Sequence, residues 1–174
     1  HEEFDNPVLL EEKPLENTVT EYLSAKGLTV GKVAETEKYA HVTYFFNGGR
    51  EEPFEHERRI LIPSPKVATY DLKPEMSVLR VTSAAIDLIT RDQCPFIVVN
   101  FANGDMVGHT AVREAVIEAV RVLDREAGRV MDAAREQGYS IILTADHGNC
   151  DEMIDPASGE PHTQHTLYPV PCLI

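Results

Sequence analysis

Acids and imidazoles recur at three places in this sequence where metal chemistry could be built. An apolar run, Ser140-Ile141-Ile142-Leu143-Thr144-Ala145, ends on Asp146-His147-Gly148-Asn149. A second run, Phe96-Ile97-Val98-Val99-Asn100-Phe101, is followed by Ala102-Asn103-Gly104-Asp105-Met106-Val107-Gly108-His109. A third cluster, Pro161-His162-Thr163-Gln164-His165-Thr166, precedes the last apolar stretch. Asp and His are donors suited to Zn, Mn or Fe, and the lack of a Cys pair argues against a structural zinc site. Asp105 and His109 stand four apart, which places both on one face of a helix and still permits joint chelation from a loop. Each cluster alone has a plainer reading. Asp146 to Asn149 would be a turn, Asp105 a turn residue, and His165 a surface or packing histidine. Their recurrence at or near strand ends favours a two-metal site for phosphoryl chemistry, because paired metals stabilise both attacking and leaving oxygens.

The elements that would carry these residues follow from periodicity. Both apolar runs are short and rich in β-branched residues, as in buried strands of a parallel sheet. Between them, Thr110 to about Gln137 reads as one long helix. Its stripe is Val116, Val120, Leu123, Ala127, Val130 and Ala134, and Gly138 ends it. Strand, helix, strand is a crossover that predicts the two strands Phe96–Phe101 and Ile141–Ala145 to be parallel in one sheet. Ligands in such sheets bind just outside the carboxyl ends of the strands. Upstream, Leu15 to Lys26 reads as a helix with Leu15, Val19 and Leu23 on one stripe, and Leu28 to Ala34 as a strand. The stretch from Thr36 to Phe45 or Phe46 is ambiguous; Thr36 could cap a helix there, ended by Asn47-Gly48-Gly49. Arg50 to Arg59 reads as a surface loop and Ile60-Leu61-Ile62 as a short extended piece stopped by Pro63 and Pro65. Ser77 could cap a further helix to about Arg91, with Leu79, Ile86 and Ile89 or Leu88 on its apolar face. Alternating strands and amphipathic helices give an α/β fold with a mainly parallel sheet and helices on both faces.

Composition narrows the function. A chain of 174 residues with 43% hydrophobic residues can bury one substantial core. A net charge of -13 argues against a nucleic-acid-binding surface. No apolar run is long enough to span a membrane, and the first residues lack the pattern of a signal peptide. Cys94, Cys150 and Cys172 show no metal-type spacing and fit reduced thiols in a cytoplasm. Residues 1–13 have the character of a linker, and the chain stops within an apolar run; the expectation is a piece of something longer.

Several stretches resemble one family in particular. Glu35-Thr36-Glu37-Lys38-Tyr39-Ala40-His41-Val42-Thr43-Tyr44-Phe45-Phe46-Asn47-Gly48-Gly49 is similar to a signature of cofactor-independent (2,3-bisphosphoglycerate-independent) phosphoglycerate mutases. So are Ile62-Pro63-Ser64-Pro65, Asn103 to Thr110, Thr144 to Asn149 and His162 to Thr166, in the family's order and over nearly all of the chain. The resemblance implies that residues 14–174 are part of an alkaline-phosphatase-like three-layer α/β domain, incomplete at both ends. It implies a parent that interconverts 2-phosphoglycerate and 3-phosphoglycerate, in glycolysis and gluconeogenesis, through a phosphorylated serine and two metal ions, usually manganese. By motif matching, Asp105, His109 and His165 resemble the ligands of one metal and Asp146 and His147 ligands of the second. Lys38 matches a lysine that holds phosphate near the serine. His162 and His41 are read as structural.

The departures from the family matter equally. The nucleophilic serine, its neighbouring metal-binding aspartate and the inserted domain with the substrate-gripping arginines have no match here. Ser64, Ser77, Ser83 and Ser140 do not stand in the nucleophile's context. The chain alone is therefore expected to be inactive. Its parent is expected to be cytoplasmic and monomeric, with phosphoglycerate as its small-molecule partner and neither nucleic acid nor membrane. Another alkaline-phosphatase-like enzyme such as a phosphopentomutase would share the Asp-His-Gly motif but should lack the stretch from Glu37 to Phe46. A metal-binding piece without activity is the alternative of a different class.

Overall fold

The computed structural model describes residues 15–174; the linker-like reading of residues 1–13 lies outside them. Its centre is β1 (Val30–Glu35), buried along its whole length. β1 pairs in parallel with β2 (Glu57–Ile62) on one side and with β3 (Phe96–Asn100) on the other, giving the order β2-β1-β3. A central strand covered on both faces cannot alternate apolar with polar freely, and β1 solves this with two different coverings. On one face, Gly31 lets α2 (Val78–Thr90) come close: a Cβ there would stand 3.0 Å from Leu88 Cδ1. Val33, Ile62, Val81, Ala85, Leu88 and Cys94 form the core on this side. On the other face lies Lys32, whose ammonium sits 4.8 Å from the Phe46 ring centroid and donates to Asn47 Oδ1 at 2.5 Å.

Lys32 is one half of a buried ion pair. Its Nζ is 3.0 Å from Glu57 Oε1, and both side chains are 0% exposed. Glu57 also accepts from Arg59 Nε (2.7 Å), Asn47 Nδ2 (2.8 Å) and the Phe54 amide (3.0 Å). Burial alone would raise the Glu57 carboxyl, but these bonds outweigh it and hold the group at about 2. The network ties β1 to β2 and to the turn at Asn47, where Gly48 and Gly49 take the left-handed conformation that stops the preceding turn.

The stretch after β1 is irregular. A 3₁₀ turn (Thr36–Lys38) leads into a π-helical turn (His41–Phe45). Thr36 caps nothing with its side chain; its Oγ1 accepts the Ser64 amide at 3.1 Å. Beside it, the buried Glu35 accepts from Ser64 Oγ (2.9 Å) and from the Ser77 amide (3.4 Å) at the start of α2. Burial pushes the Glu35 carboxyl up despite those bonds.

Other expectations shift. α1 is Val19–Ala25 and buries Thr20 and Ser24, while Leu15 and Val19 are exposed. Its inner face is polar because Ser24 Oγ accepts the His56 amide. β2 begins at Glu57, inside the stretch read as loop, since Glu57 is neutralised by its buried partners. α2 buries Val78, Val81, Thr82, Ala85, Leu88 and Ile89, and leaves Leu79 exposed. Ser77 spends its hydroxyl on Pro63 O rather than on a cap. The long helix expected from Thr110 to about Gln137 is α4 (Arg113–Glu136), and a separate short helix, α3 (Asn103–Gly108), precedes it, with Ala111 at φ 51 between them. α4 turns Ala115, Val116, Ala119, Val122, Glu126 and Ala134 inward and leaves Val120 exposed. Gly138, at φ 76, follows its end.

One expectation fails. The run Ile141–Ala145 does not lie in the same sheet as Phe96–Phe101. Only Leu143–Thr144 (β4) is paired, antiparallel to Cys172–Leu173 (β5), in a separate two-stranded sheet. Ile142 is 70% exposed, so the run is not the buried strand its composition suggests. An apolar run indicates extended chain; it does not specify which edge receives its amides. The crossover nonetheless brings the chain back beside β3. Tyr139 OH donates to Cys94 O at 2.8 Å before β3, and Asn149 Nδ2 reaches Asp105 O at 3.3 Å beyond it.

Candidate metal centre

Four segments deliver side chains to the carboxyl end of the parallel sheet. α3 follows β3 directly, and its helical turn places Asp105 and His109 on one face, with the His109 amide donating to Asp105 O at 3.1 Å. The turn after β1 brings Lys38, which is buried and pairs with Asp105 Oδ2. The end of the 140s run brings Asp146, His147 and Asn149. His165 arrives on an exposed segment held by backbone pairing between Gly148 and Thr166, where the Thr166 amide donates to Gly148 O at 3.0 Å.

Three of these residues converge. His165 Nε2 lies 2.8 Å from Asp105 Oδ1 and 3.1 Å from His109 Nε2, and His109 Nε2 lies 3.0 Å from Asp105 Oδ1. Ligands about 2.1 Å from an ion and at right angles to one another would be about 3.0 Å apart, so the three atoms fit one face of an octahedral site. Asp105, His109 and His165 form a group whose donor atoms all lie within 4.8 Å of one another.

The tautomers suit this use. His109 Nδ1 is 2.6 Å from Thr163 O, and a carbonyl only accepts, so Nδ1 carries a proton and Nε2 is the nitrogen turned toward Asp105 and His165. Burial would raise the Asp105 carboxyl, but hydrogen bonds from Lys38 and Asn149, with the charges of Lys38 and His109, hold it well below the usual carboxylate range. It is therefore an anionic donor at neutral pH.

Asp146 and His147 do not join that triad. His147 Nε2 is 3.6 Å from Asp146 Oδ1 and 3.8 Å from Asp105 Oδ1, and its ring stacks on His165 with centroids 3.7 Å apart. The pair is an adjacent two-donor set, with the Asp146 side chain 52% exposed. His162 lies outside the cluster, its amide bonded to Met153 O. His41, read as structural, feels the cluster: burial lowers its pKa first, Lys38 lowers it further, and Asp146 and Asp105 oppose.

Sequence reasoning missed the supports. Thr163 orients His109. Thr166 Oγ1 donates to Asp151 at 2.8 and 2.9 Å and anchors the segment carrying His165. Gly148 has no room for a side chain, since a Cβ would stand 2.1 Å from Thr166 Oγ1. The adjacency of Asn149 and Thr166 to the Asp/His motifs was the available signal.

A parallel α/β sheet with an Asp/His cluster outside its carboxyl edge defines a class of metal-dependent enzymes. The chain belongs to the metalloenzyme superfamily, whose family model matches residues 8–174. It is 54% identical over 166 residues to a 2,3-bisphosphoglycerate-independent phosphoglycerate mutase of Bacteroides thetaiotaomicron, covering 95% of this chain and 33% of that protein. The corresponding protein of Symbiobacterium thermophilum is 53% identical over 170 residues, covering 98% of this chain and 33% of its own length. Among solved structures, Leishmania mexicana phosphoglycerate mutase at low cobalt concentration superimposes with a TM-score of 0.84 at 37% identity, over 91% of this chain and 31% of that one. The chain spans about a third of the length of the curated relatives it matches. The α/β, mainly parallel fold expected from the sequence is the one observed. No helix of the described residues is long and apolar enough to cross a membrane.

Proposed function

We propose that this chain supplies the metal-binding part of a cofactor-independent phosphoglycerate mutase, an isomerase that interconverts 2-phosphoglycerate and 3-phosphoglycerate. Residues 14–174 then form part of a phosphatase-like domain. The parent works in the cytoplasm as a monomer on a small-molecule substrate. The observation that carries this reading is the convergence of Asp105, His109 and His165, in a chain more than half identical to proteins named for that activity.

In this reading Asp105, His109 and His165 hold one divalent ion, and Asp146 and His147 contribute to a second; manganese is the proposed metal for both. Such ions supply Lewis acidity and lower the pKa of a bound hydroxyl. Asp105 provides the fixed negative charge of the first site. His109, held by Thr163 through Nδ1, turns its Nε2 toward the site. Lys38, paired with Asp105 at the rim of the cluster, is a cation placed to hold a phosphoryl oxygen. A phosphorylated serine carries the group between the two positions of the substrate. Ser64, Ser77, Ser83 and Ser140 do not stand in the context of that serine, and the hydroxyls of the first three donate to Glu35, Pro63 O and Leu79 O, none of them a residue of the Asp/His cluster. The serine comes from elsewhere in the parent, and the chain alone does not turn over.

The test is an assay of 2-phosphoglycerate formation from 3-phosphoglycerate, with manganese and without bisphosphoglycerate. A full-length protein containing this chain should be active and lose activity to a chelator, whereas the 174-residue chain should be inactive. Turnover by the chain alone would refute the absence of a nucleophile; an inactive full-length enzyme would refute the reaction.

A further inference from the structure

Asn149 touches the candidate metal centre without belonging to it. Its Nδ2 donates to Asp105 Oδ1 at 3.0 Å and to the Asp105 carbonyl at 3.3 Å. Its Oδ1 accepts the Cys150 amide at 2.8 Å. An amide N–H only donates, so this contact fixes which end of the Asn149 carboxamide faces Asp105. The Asp105 carboxylate is thus gripped at both oxygens, by Lys38 at Oδ2 and by Asn149 at Oδ1. Oδ1 is also the oxygen that faces His165 and His109.

Gly108 supplies the second observation. It ends α3 and does not take the left-handed conformation that would by itself call for glycine. A Cβ there would lie 2.3 Å from Asn149 Oδ1, 2.7 Å from Asn149 Cγ and 2.9 Å from Cys150 Sγ. Gly104, one turn earlier on the same helix, has nothing within 4 Å of its Cβ position. What Gly108 provides is room for the Asn149 carboxamide.

We propose that Asn149 is the positioning residue that orients the Asp105 carboxylate for metal binding, and that Gly108 is the space it requires. The reason is competition. Lys38 attracts both oxygens of Asp105, and a carboxylate free to rotate would turn toward the ammonium and away from the imidazoles. A neutral donor on Oδ1 keeps that oxygen facing the two histidines without adding charge. It also uses one lone pair and leaves the others to an ion. The proposal rests on the reading of Asp105, His109 and His165 as metal ligands.

The test is a Mn²⁺ titration of the chain and of its Asn149→Ala, Gly108→Ala, doubly substituted and His109→Ala variants, each confirmed folded by circular dichroism. Visible absorption of bound Co²⁺ reports the geometry. Asn149→Ala should weaken Mn²⁺ binding by about 10–100-fold, the usual effect of losing a partner of a metal ligand. It should also change the Co²⁺ spectrum, which a loss of stability alone would not do. Gly108→Ala should reproduce both effects with Asn149 intact, and it decides the matter if Asn149→Ala does not fold. The double variant should be no weaker than the worse single one, because both substitutions act through one contact. An affinity within about threefold of the parent for the folded single variants, or losses that multiply in the double variant, would overturn the proposal. If His109→Ala leaves Mn²⁺ affinity unchanged, the ligand assignment itself falls and the role of Asn149 falls with it.

Discussion

Replacing Glu57 by leucine would leave the Lys32 ammonium without its carboxylate in a site where both side chains are 0% exposed. Breaking a buried pair from one side costs about 3–5 kcal/mol, because the remaining charge is desolvated and uncompensated. The Asn47 carboxamide and the Phe54 amide would lose their acceptor as well, each worth about 1–3 kcal/mol when orphaned. These terms overlap, since Asn47 Oδ1 still accepts from Lys32. A loss of about 4–6 kcal/mol is expected, a large part of the stability of a domain this size. Adding Lys32→Met should recover the part due to the unpaired charge, because two apolar side chains fill the space, while the Asn47 and Phe54 groups stay without partners. Urea unfolding followed by circular dichroism measures both variants. A parallel pH series has a defined sign. The folded Glu57 carboxyl sits at about 2 against a usual 4.5, so its stabilisation is present above pH 4.5 and is lost as the pH falls toward 2. That drop corresponds to about 3 kcal/mol. A cost below about 1.5 kcal/mol for Glu57→Leu, unchanged by Lys32→Met, would refute the argument that this pair holds β1, β2 and the Asn47 turn together.

Other outcomes follow from single contacts. Gly148→Ala would set a methyl 2.1 Å from Thr166 Oγ1 and displace the segment that carries His165; Mn²⁺ affinity should fall at least about tenfold. Urea stability should move by less than about 1 kcal/mol, because that segment is largely exposed. Of the cysteines, burial raises the Cys150 thiol to about 11 and also raises Cys94, whereas Cys172 is exposed. A thiol reagent at pH 8 should therefore modify one cysteine quickly in the folded chain and all three after unfolding.

The chemistry was more legible than the architecture. Asp105 and His109 stood out because metal donors are few in type, and their i,i+4 spacing survives even though α3 is only six residues long, whereas His165 was joined to them by the family resemblance. The strands β1 and β3 were visible as short apolar runs. The faces of the helices were legible only in part: Val116, Ala134, Leu88 and Ile89 are buried as expected, but Val120 and Leu79 are exposed, while Glu126 turns inward, because Arg125 and Arg129 neutralise it. Nor could a run such as Ile141–Ala145 announce its partner, since pairing is decided by distant chain. Lys32 and Glu57 are the clearest case. Glu57 fell in a stretch read as a surface loop and Lys32 in a strand, far apart in sequence, and they become an ion pair with both side chains 0% exposed.

The central claim is that Asp105, His109 and His165 bind one divalent ion together. The most direct measurement is an equilibrium Mn²⁺ titration of the chain, read by the electron paramagnetic resonance of free Mn²⁺. The parent chain should be compared with His109→Ala and His165→Ala. The account predicts a saturable site in the parent that weakens by at least about tenfold in either variant, with Asp146→Ala affecting it less. Binding that is unchanged by His109→Ala and His165→Ala, or abolished by Asp146→Ala alone, would contradict it.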